Sequence, residues 1–181
     1  MLASLSAADP GMRAGALRWF AAHGDAGDAA VVVPLVGDPG EFDDRDREDD
    51  PSESSRTPVR MVALEALVRL RGPGMFAGVF DGALQDNDLR VRARAALGAS
   101  AAALLMRLAV EGDRSVQFRI AVELLIGDTS RDQAIAALER LRGGDDQAAV
   151  AAASVLDAVA GLSPPTTRPS VSWDDARSDR A

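Results

Sequence analysis

One short pattern returns along this 181-residue chain, and it limits the possible folds more than any other feature. Its clearest copy is Asp88-Leu89-Arg90-Val91-Arg92-Ala93-Arg94-Ala95-Ala96-Leu97-Gly98, of the form Asp-x-x-Val-Arg-x-x-Ala-Ala-Leu-Gly. Asp9 with Met12-Arg13 and Ala16-Leu17, Val59-Arg60 with Ala63-Leu64, and Asp113 with Val116-Gln117 and Ile120-Ala121 align beneath it. A degenerate fifth copy runs from Asp146 through Ala149 and Ala153 to Leu156. The anchors Met12, Val59, Val91, Val116 and Ala149 are 47, 32, 25 and 33 residues apart. Removing an acidic insertion of about 17 residues brings the first spacing to about 30, in line with the others.

Local chemistry says what each copy becomes. Asp9, Asp88 and Asp113 stand where a side chain accepts from the free amides of a following first helical turn, worth roughly 1 kcal/mol apiece. Apolar residues then recur every four positions, as Val59, Ala63 and Leu67 or Val116, Ile120 and Leu124, which is the buried stripe of a helix. Gly98 and Gly127 follow the last apolar positions, where a residue of positive φ is expected to stop the helix. A second apolar segment follows in each unit: Ala29 to Val36, Met75 to Leu84, Ala101 to Val110 and Ala134 to Leu141. In the last, Ala134, Ile135, Ala137, Leu138 and Leu141 share one side and charged residues the other. The 35 alanines and the 4% aromatic content favour helices over strands. Each unit is therefore expected to be a helical hairpin that cannot cover its stripe without a neighbour.

This pattern resembles the HEAT repeat, and more closely the short bacterial HEAT-like repeat of the phycobilisome-lyase type, over roughly residues 9 to 161. The resemblance implies an all-α chain, a right-handed α-solenoid of about five helical hairpins of HEAT-like or armadillo type, spanning residues 1–162. It also implies that the Asp and the Arg after Val bridge consecutive repeats, so that Arg13, Arg60 and Arg92 have a ladder role first. The second copy has Ser55 and Thr57 near the place of the capping Asp, and the fourth has Gln117 in place of Arg. HEAT-like proteins serve chiefly as scaffolds whose curved face grips a protein, so the resemblance implies a non-enzymatic scaffold or adaptor.

Charge is concentrated rather than spread. Of the formal −8, residues 38–53 supply −7: nine acids offset only by Arg45 and Arg47. Glycine, proline and serine flank this run, so residues 37–56 are expected to form a mobile surface loop. Asp44, Asp46 and Glu48 alternate as in a calcium loop, but the sixth position is Asp49 where glycine is needed, and the twelfth is Ser55. No calcium site is expected there. Residues 163–181, rich in Ser, Pro and Asp with Trp173 isolated among them, are expected to be a disordered tail.

The absence of cysteine excludes disulfides, thiolate metal sites and cysteine nucleophiles, and a single histidine, His23, excludes triads or metal sites that need two imidazoles. No catalytic, cofactor or metal residues are assigned. The N-terminus shows no basic region followed by an apolar core, and no apolar stretch of about 18 residues occurs, so a cytoplasmic protein without membrane contact is expected. All 20 basic residues are arginine, which fits the codon bias of a GC-rich bacterial genome.

The candidate partner-binding residues are Arg60, Arg90, Arg92 and Arg94, on the inner face formed by the second helix of each hairpin. Arg90 and Arg94 lie four apart on one helical face while Arg92 points elsewhere, so one set looks outward, where an acidic or phosphorylated protein would suit it. The alternative is a DNA-binding enzyme resembling the HEAT-like alkylpurine DNA glycosylases, with Trp19 and Phe20 as stacking planes and Asp81 or Glu123 as the carboxylate. A near-neutral array beside a −7 segment opposes duplex binding, so no nucleic acid is expected. Trp19 and Phe20 read more simply as terminal core residues, and His23 as a residue complementing the dipole at a helix end.

Overall fold

A computed structural model describes residues 1–44, 56–71, 75–128 and 130–162 of the chain, and most of these are α-helical. The helices are α1 (Leu2–Leu5), α2 (Pro10–His23), α3 (Ala29–Val32), α4 (Val59–Arg71), α5 (Ala77–Ala83), α6 (Leu89–Ala95), α7 (Ala101–Leu108), α8 (Arg114–Ile126), α9 (Arg131–Arg142) and α10 (Gln147–Leu162). The motif copies form α2, α4, α6, α8 and α10, and the intervening apolar segments form the helices between them. The three predicted caps are made: Asp9 accepts from the Gly11 amide, Asp88 from Arg90 and Asp113 from Val116. Pro34 cannot donate into a helical turn, so α3 passes at Val33 into a tighter 3-10 turn, Val33–Gly37.

The motif helices pack in series: α2 on α4, α4 on α6, α6 on α8 and α8 on α10. The helices between lie against this row, with α3 on α4, α5 on α6, α7 on α8, and α9 on both α8 and α10. Leu17 and Phe20 of α2, Val59, Leu64 and Leu67 of α4, Phe80, Val91 of α6, and Val116, Ile120 and Leu124 of α8 belong to one apolar core. A smaller one joins Ala121 of α8 to Ala137, Leu138 and Leu141 of α9 and Ala152 and Leu156 of α10. Each fully buried large side chain contributes roughly 2 kcal/mol of transfer free energy.

Two expectations need correction. The segment 37–56 is not loop throughout, because its ends pair as antiparallel strands β1 (Glu41–Asp43) and β2 (Arg56–Pro58), with Phe42 opposite Thr57. The Val59 amide donates to the Gly40 carbonyl at 3.0 Å, so the helical unit resumes almost where it was interrupted. Arg18 pairs with Asp44 and stacks over the Phe42 ring at 5.3 Å, fastening the ribbon to α2. Residues 45–55, with Asp46, Glu48, Asp49 and Ser55, and residues 163–181, with Trp173, lie outside the described residues.

Neither Gly98 nor Gly127 has the positive φ expected of it. Gly127 has φ −70°, and the positive-φ residue after α8 is Asp128, at 55°. Gly98 is needed for space: a Cβ there would stand 2.7 Å from the Phe80 ring, whose side chain is fully buried. Gly98→Ala is therefore expected to lower the unfolding free energy by about 1–3 kcal/mol in urea titrations. Gly78, on α5, has open space where a methyl group would stand, with nothing within 4 Å, so Gly78→Ala is expected to hold or raise stability, by up to about 1 kcal/mol.

Candidate partner-binding face

Four arginines were candidates from the sequence, and the fold divides them. Arg60 and Arg92 turn into a ladder between consecutive units. Arg60 donates through Nε and Nη2 to both carboxylate oxygens of Asp86, at 2.6 and 3.0 Å. Arg92 does the same to Glu111, at 2.8 and 3.0 Å, and its Nη1 also donates to the carbonyls of Asp86 and Asn87. Arg13 repeats the arrangement one unit earlier, with Asp38 at 2.6 and 2.8 Å and the carbonyls of Ala7 and Ala8. Each carboxylate also accepts the amide two residues on, from Gly40, Asp88 or Asp113. These guanidiniums are held within the fold, and the acids they meet are Asp38, Asp86 and Glu111, not the capping Asp9, Asp88 and Asp113.

Glu111 is the most demanding member. Its side chain is buried, and Arg107 adds a third guanidinium nitrogen at 2.8 Å. Burial alone would raise its pKa, but the bonds from Arg92, the Asp113 amide and Arg107 outweigh it and lower it from 4.5 to about 2. Asp38 and Asp86 are likewise held below the usual range by their arginines and backbone amides, against the opposing effect of burial.

Arg90 and Arg94 lie on the other side of α6 and line a shallow groove of about 400 Å³ between α4, α6 and α8. Met61, Leu89, Ala93, Leu97 and Phe118 give it apolar surface, and Arg119 with Ser115 completes the polar side. Leu89 is an exposed large apolar residue within it. Arg90 is held by its own capping Asp88 and by the Arg56 carbonyl at 2.9 Å. Arg94 pairs with Glu65 at 2.5 Å and Arg119 with Glu123 at 3.2 Å. Burial keeps the Glu123 carboxyl above its ordinary pKa despite Arg119. Arg119 and Phe118 were not among the sequence candidates, because the fourth motif copy carries no arginine at the motif position and gave no reason to look there.

The residues of the glycosylase alternative fall elsewhere. Phe20 is core, while Trp19 is partly exposed, edge-on to Phe20 and stacked on His23 at 5.2 Å. His23 ends α2, with Nδ1 3.1 Å from the Trp19 carbonyl. Asp81 accepts from the amide and hydroxyl of Ser100, which in turn caps α7. Among the described residues, no group of three or more acidic or histidine side chains is placed to hold a metal ion, and no helix is long and apolar enough to cross a membrane. Compared with family models, curated proteins and solved structures, the chain finds no match in any of the three.

Because the native state favours ionised Glu111, its stabilisation is complete above the ordinary value of 4.5 and disappears as the pH falls toward 2. Urea titrations from pH 7 down to pH 2.5 should show a loss in that window that is smaller by about 2–3 kcal/mol in Glu111→Gln. Arg92→Ala should cost about 1.5–3 kcal/mol at pH 7, since Arg107 still meets the buried carboxylate.

Proposed function

We propose that this chain is a non-enzymatic scaffold, a right-handed HEAT-like α-solenoid of about five hairpins that holds an acidic or phosphorylated segment of a partner protein. Serial packing of the motif helices and the recurrence of the Arg–carboxylate rung support the architecture. The observation that carries the functional reading is the α4–α6–α8 groove, where apolar surface lies beside Arg90, Arg94 and Arg119. Each guanidinium has five N–H donors in a fixed fork, so one that already meets a carboxylate retains donors for a second acceptor. An apolar floor with an arginine rim suits a segment that alternates apolar and acidic side chains.

The glycosylase reading draws less support. Phe20 is used by the core and Asp81 by the α7 cap, while Trp19 stacks on His23 and Glu123 pairs with Arg119. Arg90, Arg94 and Arg119 are the contact arginines, since Asp86 and Glu111 hold Arg60 and Arg92.

The test is quantitative binding of the full chain to a partner recovered from lysate and then purified. Arg90→Glu with Arg94→Glu is expected to weaken saturable binding about 100-fold, while the circular dichroism spectrum is retained. Binding indifferent to both reversals would remove the groove from the reading. A duplex DNA titration at moderate ionic strength is expected to give no salt-dependent mobility shift.

A further inference from the structure

The ladder changes at its fourth rung. By repeat register Gln117 stands where Arg13, Arg60 and Arg92 stand, and its Nε2 donates to the Glu111 carbonyl at 2.5 Å, the backbone position that Arg92 contacts in the rung before. The matching acid is also missing. Asp86 and Glu111 precede the capping residues Asp88 and Asp113 by two positions, and Gly144 holds that place before Asp146. A neutral amide and a glycine replace both halves of the ion pair.

Arg114 crosses the gap from one turn earlier. Its Nε donates to Asp146 at 2.6 Å and its Nη2 to the Leu141 carbonyl at 2.7 Å, with the guanidinium lying where a Gly144 side chain would begin. Beside it is a pocket of about 280 Å³ whose lining includes Leu108, Glu111, Arg114, Gln117 and Arg140. Among the described residues, Arg114 Nη1 makes no hydrogen bond and Arg140 makes no ion pair. Glu111 does not oppose an incoming anion strongly, because Arg92, Arg107 and the Asp113 amide already saturate it. The charged side chains that line the pocket are Arg114, Arg140 and Glu111, with Asp146 paired to Arg114 and Glu111 held by Arg92 and Arg107.

We propose that this pocket between α8 and α9 is a carboxylate-binding site, in which an acid from outside the chain bridges Arg114 Nη1 and Arg140. The proposal is independent of the α4–α6–α8 groove, which shares no lining residue with it. The Nε edge of Arg114 already meets Asp146, so an incoming carboxylate would take its Nη1 and gain a second cation from Arg140. The acid can be a free small carboxylate or a glutamate side chain of another protein.

The test follows the arginine Nε–H resonances of the full chain during titration with sodium acetate, against sodium chloride at matched ionic strength. A second arm uses an end-blocked pentaglycine peptide with glutamate at its centre, and its glutamine counterpart. Saturable shifts at Arg114 and Arg140 are expected with acetate or with the glutamate peptide and not with the glutamine peptide. Tighter binding of the peptide assigns a protein side chain as the source, and response to acetate alone assigns a free acid. Arg140→Gln, a surface change that keeps the fold, is expected to weaken binding about tenfold, the size of one charge-assisted hydrogen bond. Shifts no larger than those of chloride, or binding that survives Arg140→Gln unchanged, would overturn the assignment.

Discussion

No motif helix among the described residues covers its own apolar stripe; α2, α4, α6 and α8 are each covered in part by the motif helix that follows. Leu17 of α2, Leu64 and Leu67 of α4, Val91 of α6 and Ile120 of α8 reach zero exposure only because successive helices lie side by side. Stability then comes largely from neighbour contacts, as in repeat proteins, and residues at the two ends remain open. Met12 and Trp19 on α2 and Val150 on α10 are exposed.

Apolar packing of this kind is tolerant of sliding, because alanine-rich surfaces fit one another in several registers. The Arg–carboxylate rungs are not tolerant. Bidentate contacts of Arg13 to Asp38, Arg60 to Asp86 and Arg92 to Glu111 each join a motif helix to the turn before the next one, and a shift of a few ångströms would leave poorly solvated charges. Such pairs add little net stability relative to apolar replacements but penalise misalignment heavily. The core divides near the point where the ladder fails, with α8 contributing Ile120 to one cluster and Ala121 to the other. Rung and core therefore change together at the fourth unit.

How much of this was readable beforehand depended on the range of each signal. Capping by Asp9, Asp88 and Asp113 involves residues two or three apart and was legible from the spacing alone. The buried four-residue stripes were legible for the same reason. Gly98 is required for space and not for a positive φ, a need set by Phe80, 18 positions earlier. The ends of the acidic insertion read as loop in the sequence because three-residue strands carry almost no periodicity, and only the closure from Gly40 to Val59 brings them together.

The amino-acid sequence alone determined the helical class, the unit length, the caps and the positions that must be buried, because these depend on contacts within one or two turns. Only the tertiary structure decided which arginines are consumed and which face outward. Arg60 and Arg92 find carboxylates 26 and 19 residues away, while Arg90 and Arg94 line a groove built from three helices. That division depends on how one unit meets the next, a long-range geometry that identical local motifs leave open.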